Sequence, residues 1–287
     1  MTSEMNETEP SRTTEKLERS EEKHRLFVRS ELENDDKMEP LAERPARMEE
    51  LEEELRKSRR RQEVSTRGIA NAVASAFPAL HALCIGPGLG RHPLVFSAAE
   101  KVMRKAMEAK LTLVLDADAL FMLSLKEYGN LLAELRDYER CVMTPNLMEM
   151  RRLNEPTSDA ENGVGEYANI VVQKGNADTI TCGRHAMQCD EEGGLKRSGG
   201  IGDVLAGTIC AFMAWNAILE KDAVPGDDVD GGAVNRRSRQ RVFASWAACC
   251  AVKKGTNLAF RKKGRAMSAQ DVIGEIGEVL GSMEGRG

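Results

Sequence analysis

From about residue 67 onward, short unbroken apolar runs alternate with longer segments of helical periodicity. Ala82-Leu83-Cys84-Ile85 predicts a buried strand ending at Gly86-Pro87-Gly88-Leu89-Gly90, and Pro93 to Lys110 predicts a helix. Leu111-Thr112-Leu113-Val114-Leu115 predicts a second buried strand, ending in Asp116-Ala117-Asp118, and Tyr128 to Tyr138 a second helix. Cys141-Val142-Met143 reads as a strand stopped by Thr144-Pro145-Asn146, and Ile170-Val171-Val172-Gln173 as another, ending at Lys174-Gly175. Helices follow over Val204 to Met213, over Phe243 to Val252, and from about Ser268, where Asp271 three residues on forms a weak capping box. Continuous apolar strands interleaved with helices indicate a parallel sheet covered on both faces. Ligands bind such sheets at the carboxyl ends of the strands, and glycines, acids and Asn146 collect at those ends here. Between Lys221 and Gln240, Asp222, Pro225, Gly226, Asp227, Asp228, Asp230, Gly231 and Gly232 predict a polar surface loop. Its aspartates lack the spacing of an EF-hand and are read as solvated.

The first 66 residues differ: they hold no glycine or cysteine, and roughly half are charged, too polar a balance to bury a core. Met48, Leu51 and Leu55 recur at helical spacing, so a solvated helix or short coiled coil is expected there. The cluster Arg56-Lys57-Ser58-Arg59-Arg60-Arg61 reads as the basic end of that helix; contact with acidic partners or an import receptor is the competing reading. The expected organisation is a charged extension, disordered or helical, over 1–66 and an α/β domain over 67–287. The net charge of −5 gives no general reason to expect nucleic-acid binding. Seven cysteines without C-x-x-C spacing fit reduced thiols, with Cys249-Cys250 as small core residues. No apolar run is expected to reach the length of a membrane span. The acidic N-terminus has neither an apolar core nor an Arg-rich transit pattern, so a cytoplasmic location is expected, or a mitochondrial one if the natural N-terminus lies elsewhere. No metal site is legible.

The candidate chemistry centres on Gly199-Gly200-Ile201-Gly202-Asp203, where three glycines and an acid feed a helix. A glycine turn at a helix start presents unpaired N–H groups and the positive end of the dipole, which favours phosphate. A carboxylate beside phosphate repels it, so Asp203 suits a base that takes the proton from a hydroxyl being phosphorylated. Lys196 and Arg197 can offset phosphate charge. Taken alone, the motif reads first as a helix start with a favourably placed acid, and only its companion motifs reverse that reading. Asp116 and Asp118 are read either as helix caps or as site residues, Gly86-Pro87-Gly88 as a tight turn or a ligand loop, and Asn146 as an N-cap that also permits ligand contact.

Five segments in order resemble the ATP-dependent (S)-NAD(P)H-hydrate dehydratase family. They are Phe77 to Arg91, Val114-Leu115-Asp116-Ala117-Asp118-Ala119-Leu120, Met143-Thr144-Pro145-Asn146 to Leu153, Val171-Val172-Gln173-Lys174-Gly175-Asn176-Ala177-Asp178, and Lys196 to Gly207. Phe260 to Ile273 resembles that family's closing segment. The resemblance implies an α/β, ribokinase-like three-layer sandwich with a mostly parallel central sheet. It implies that ATP, with Mg²⁺, phosphorylates the ring hydroxyl of NADHX or NADPHX, and that loss of phosphate restores NADH or NADPH. It places the hydrate against Gly88, Asn146, Leu147, Met148, Glu149, Met150, Arg151, Arg152 and Asp203, with Asp203 as the catalytic base. It places ATP along Lys174, Gly175, Asn176, Ala177 and Asp178, and along Gly193, Gly194, Leu195, Lys196, Arg197, Ser198, Gly199, Gly200, Ile201 and Gly202.

Residues 1–66 hold nothing resembling the family's first strand and its Gly-Gly…Tyr-x-Gly-Ala-Pro motif, and the stretch between Leu153 and Ile170 is short for a full helix. The sheet is therefore expected to lack its first strands and to expose an edge that a second copy or another partner covers. A catalytically impaired relative that binds nucleotide or acts as an interaction protein is the alternative reading. No nucleic-acid or membrane partner is expected.

Overall fold

A computed structural model describes residues 44–154, 168–183, 185–222 and 232–283. It divides into two units, Met1–Arg61 and Gln62–Gly287. In the first, the described residues belong to helix α1 (Arg44–Ala74), which contains the expected Met48, Leu51 and Leu55. Its polar face carries an i,i+4 pair, Lys57 to Glu53 at 3.6 Å. The helix runs on through the composition change at residue 67, and within the second unit its buried Thr66 and Ala70 turn inward.

The second unit is built on a six-stranded sheet in the order β1 (Ala82–Ile85), β2 (Thr112–Leu115), β3 (Cys141–Met143), β4 (Ile170–Gln173), β5 (Asp178–Cys182), β6 (His185–Cys189). Strands β1 to β4 are parallel, as the alternation of strands and helices predicts. Strands β5 and β6 turn back as an antiparallel pair. That hairpin is not evident from apolar runs because Asp178-Thr179-Ile180-Thr181-Cys182 alternates: Asp178, Ile180 and Cys182 are buried and Thr179 is exposed. A strand with one solvated face reads polar at every second position.

The central strands sort their side chains by parity. Leu113 and Leu115 point into a cluster with α2 (Pro93–Glu108), α3 (Asp118–Leu123) and α4 (Gly129–Asp137), which contribute Met103, Leu120 and Leu135. Val114 points to the opposite face, where Val142, Val172, Ile209 and Met213 form the second cluster with α6 (Ile201–Asp222) and α7 (Gly232–Lys263). Leu113, Val114 and Leu115 are all fully buried, each contributing about 1.5–3 kcal/mol by removal from water. A small third cluster of Ala259, Met267 and Val272 seats α8 (Ala269–Met283). The short α5 (Leu147–Asn154) follows β3. The outcome is three layers, helices on both faces of a mostly parallel sheet.

Strand β1 has a neighbour on one side only among the described residues, so it is the expected edge. Two expectations need correction. Lys221, Asp222 and residues 232–240, read as loop from their glycines and charges, are helical: the first two end α6 and the rest form the first turns of α7; Gly232 opens that helix rather than a turn, and the Arg-rich stretch that follows has good helix propensity. Residues 223–231, with the aspartates at 227, 228 and 230, lie outside the described residues, as do 155–167 of the short stretch before β4. Helix α6 is long and apolar enough to cross a membrane, with a mean hydropathy of 1.5 over Ile201–Glu220, contrary to the expectation that no run reaches that length. Its packing against β1, β2 and α7 explains the composition: one face of the helix is core.

Candidate functional site

The carboxyl ends of β1 to β4 are tied together by the residues that follow them. After β1 the chain turns at Gly86, which has φ +127°; a Cβ there would sit 1.7 Å from the Asp116 carbonyl oxygen. Only glycine lets the two strand ends approach this closely. The Asp116 amide donates to the Ile85 carbonyl (3.1 Å), the Thr144 amide to Leu115 (3.0 Å), and the Lys174 amide to Pro145 (2.9 Å). Each strand end therefore braces the next.

Asp118 caps no helix among the described residues. Its carboxylate accepts from the Gly90 amide at 3.0 Å and from Arg91 Nε at 2.8 Å, pinning the glycine loop, while the Arg91 guanidinium lies 3.9 Å from the centre of the Phe121 ring. Asp116 does not cap α3 either: Ala117, at φ +48°, occupies the N-cap position without a side-chain hydrogen bond. Instead Lys174 Nζ donates to Asp116 Oδ1 at 2.6 Å, with the aspartate side chain 2% exposed. Lys174 Nζ also lies 3.9 Å from Glu149 Oε2.

Asn146 is the N-cap of α5, as expected. Its Oδ1 accepts from the amides of Met148 (2.9 Å) and Glu149 (3.0 Å), and Glu149 Oε2 accepts from the Asn146 amide at 2.8 Å, closing a capping box. This cap aims Glu149 toward Lys174. On the same helix Leu147, Met148, Arg151 and Arg152 are exposed, and the two arginines make no ion pair among the described residues. Gly88, at φ +64°, is exposed with no neighbour within 4 Å of a Cβ position.

The glycine–acid motif meets this assembly from the other side. A Cβ on Gly202 would lie 3.9 Å from both Asp116 Oδ2 and Lys174 Nζ, so the start of α6 borders the buried ion pair. The Val204 amide is satisfied by the Gly200 carbonyl (3.0 Å). The amides of Gly202 and Asp203 have no acceptor among the described residues, as the first turn of a helix requires. Asp203 is exposed. Its charge and that of Asp116 both act on Cys84, whose thiol is pushed up to about 12, chiefly by burial, with Cys210 and then these carboxylates adding to it.

The residues expected around ATP form a second group on β4–β5 and α7. Asp178 Oδ1 accepts from the Gly175 amide at 2.8 Å, folding Lys174 to Asp178 into a tight turn, and its Oδ2 lies 3.6 Å from Lys253 Nζ. Burial raises the Asp178 carboxyl above the ordinary range, against the opposing pull of the Gly175 N–H and Lys253. Gly194 presses on α7, donating to Thr256 Oγ1 at 3.0 Å, and a Cβ there would come within 2.5 Å of the Thr256 carbonyl oxygen. Gly200, at φ +86°, approaches Ala269 of α8. Lys196 is committed to the Met267 carbonyl at 2.7 Å, which holds the loop against the turn before α8, whereas Leu195 and Arg197 are exposed. Lys253 and Thr256 have no sequence signal of their own; they sit mid-helix and become site neighbours only through the fold. The Asp116–Lys174 pair, 58 residues apart, is equally invisible before folding.

The chain is similar to known proteins. A family model described as NAD(P)H-hydrate dehydratase matches residues 47–277. The ATP-dependent (S)-NAD(P)H-hydrate dehydratase of Neurospora crassa is 35% identical over 226 residues, covering 72% of this chain and 61% of the relative. The protein of the same name from Rattus norvegicus is 29% identical, covering 72% and 59%. The chain thus spans about three fifths of the length of these two relatives. Among solved structures, a hypothetical protein of Streptococcus mutans aligns with a TM-score of 0.51 at 21% identity, covering 75% of this chain and 70% of that one. A ribokinase-like superfamily protein of Enterococcus faecalis aligns at 0.50 and 19%, covering 73% and 66%. Together they give the domain a ribokinase-like fold. With four fifths of its length matched by the family model, the chain belongs to the NAD(P)H-hydrate dehydratase family.

Proposed function

We propose that the protein uses ATP to phosphorylate the ring hydroxyl of (S)-NADHX or (S)-NADPHX, and that loss of the phosphate regenerates NADH or NADPH. The observation that carries this reading is the start of α6: amides without acceptors at Gly202 and Asp203, bordered by the Asp116–Lys174 pair, with an exposed carboxylate at Asp203. Asp203 takes the proton of the ring hydroxyl as its oxygen attacks the γ-phosphorus; the Pγ–O bond to ADP breaks as the new O–P bond forms. The amides of the glycine turn stabilise charge on the transferred group. In the second step the phosphate leaves with the C–O electron pair, and the ring nitrogen's lone pair restores the double bond with loss of a ring proton. Lys174, held by Asp116 and Glu149, supplies positive charge at the same edge.

The turn from Lys174 to Asp178 and the loop from Gly193 to Gly202 hold the nucleotide, and Gly88 with Asn146 to Arg152 borders the hydrate. Mg²⁺ bound with the polyphosphate would offset its charge, and Glu149, 3.9 Å from Lys174, would supply one of the protein oxygens that such an ion takes.

The test is recovery of absorbance at 340 nm when purified protein is given ATP, Mg²⁺ and (S)-NADHX. Asp203→Asn is expected to slow that recovery by about 10²–10⁴-fold. Absence of turnover with retained ATP binding would overturn the enzyme reading and leave a nucleotide-binding relative.

A further inference from the structure

The second unit has a further cavity away from the carboxyl ends of the strands. It lies at their amino ends, below β1, β2 and β3, with a volume of about 890 Å³, within the range of small-molecule sites. Its floor is apolar: Phe77, Pro78, Leu80, Leu111 and Ala217. Around that floor stand Lys105, Lys110, Arg140, Arg237 and His81, against the carboxylates of Glu108 and Glu220. Glu220 is already spent, paired with Arg140 at 3.2 Å and Arg241 at 2.9 Å. Lys105, Lys110 and Arg237 make no ion pair among the described residues.

Complementing helix dipoles explains only part of this charge. Lys105 sits in the last turn of α2, where a cation is favourable. Arg237 lies beyond the first turn of α7 and is exposed, so the dipole does not account for it. Lys105, Lys110 and Arg237, unpaired among the described residues, outnumber Glu108 around one apolar floor and suit the cavity to an anion. We infer that this cavity is a second ligand site, distinct from the phosphoryl-transfer site, which takes a phosphate ester carried on a flat aromatic body. The phosphate meets Lys105, Lys110 and Arg237, and the aromatic body lies on Phe77 and Leu111.

Pyridoxal 5′-phosphate has this chemistry, and its aldehyde condenses with a lysine amine, releasing water, to an imine that borohydride fixes for peptide mapping. At low probe concentration, Lys105 and Lys110 are expected to label about tenfold faster than the exposed Lys263, which lies outside the cavity. Adenosine monophosphate is expected to protect them and leave Lys263 unchanged. Arg237→Glu, an exposed change, is expected to bring labelling of both lysines down to that of Lys263 with an unaltered thermal midpoint. Equal labelling of all three lysines in the native protein, or labelling indifferent to Arg237→Glu, overturns the inference.

Discussion

Replacing Lys174 with Met tests the element that joins the two halves of the site. Lys174 Nζ and Asp116 Oδ1 are 2.6 Å apart, with side chains 20% and 2% exposed. At an effective dielectric of about 20, two charges at that distance attract by roughly 6 kcal/mol before desolvation is subtracted. What the substitution reads is different: it strands a buried carboxylate, which costs about 3–5 kcal/mol. Lys174 keeps some solvent contact, so a loss near 3 kcal/mol is expected. For a domain of this size that is a fall in Tm of about 6–12 °C, measured by circular dichroism and checked by the urea midpoint at constant m. Adding Asp116→Asn removes the stranded charge and should recover at least half of the loss, a coupling that the double-mutant cycle isolates. A single-variant loss under about 1 kcal/mol, or no recovery in the double variant, would refute the claim that this pair is a buried brace.

Other outcomes follow from the same geometry. Gly86→Ala must displace the Asp116 carbonyl and should cost about 3 kcal/mol or more, whereas Gly88→Ala, with open space around it, should cost only about 1–2 kcal/mol for its left-handed backbone; equal losses in thermal melts would contradict the close approach. The Glu220 carboxyl lies below its ordinary value: burial raises it, but hydrogen bonding and attraction from Arg241, then Arg140 and Asn216, prevail. Its contribution to stability is therefore complete above the unfolded value of about 4.3 and disappears as pH falls through the folded value. Urea midpoints from pH 6 to 3 should fall less steeply in Glu220→Gln, and parallel profiles would show that the network is unimportant. Burial raises all seven thiols, so the native protein at pH 8 should react far more slowly with a chromogenic disulfide than after unfolding, when all seven cysteines of the sequence respond. Rapid native reaction at Cys84 would place that residue in a more open setting.

The parallel strands were legible because each is a short, mostly apolar run closed by a turn or polar signal: Gly86, Asp116, Thr144-Pro145-Asn146 and Lys174-Gly175. Leu113-Val114-Leu115 shows why: burial on both faces removes any need for alternation. Strands β5 and β6 escaped notice because the sheet's far side meets solvent, so Thr179 and Thr181 carry no apolar signal. Residues 232–240 misled through composition, since exposed arginines such as Arg236, Arg237 and Arg239 look the same in sequence on a solvated helix as in a loop; only Arg241, just beyond them, is buried between Glu220 and Glu139 among the described residues. Within the site, Gly202, Asp203, Asn146 and Lys174 were visible as motif positions. The pairing of Lys174 with Asp116, and the seating of Gly193-Gly194 on Thr256, depend on contacts 58 and 62 residues apart, which no local pattern encodes.

Helix α6 has a consequence for how damage spreads through this protein. Asp203 stands at one end of it, and Glu220, roughly 25 Å along the axis, is clamped by Arg140 and Arg241 at the other. The same rod that presents the acid to substrate is moored at the amino ends of the strands. Loosening the mooring lets the helix slide or rotate as a unit, and the first reading of that slip is at Asp203. Substitutions of Arg241 should therefore act like lesions of the site while touching none of it, and a screen for lost turnover should recover them at the amino ends of the strands.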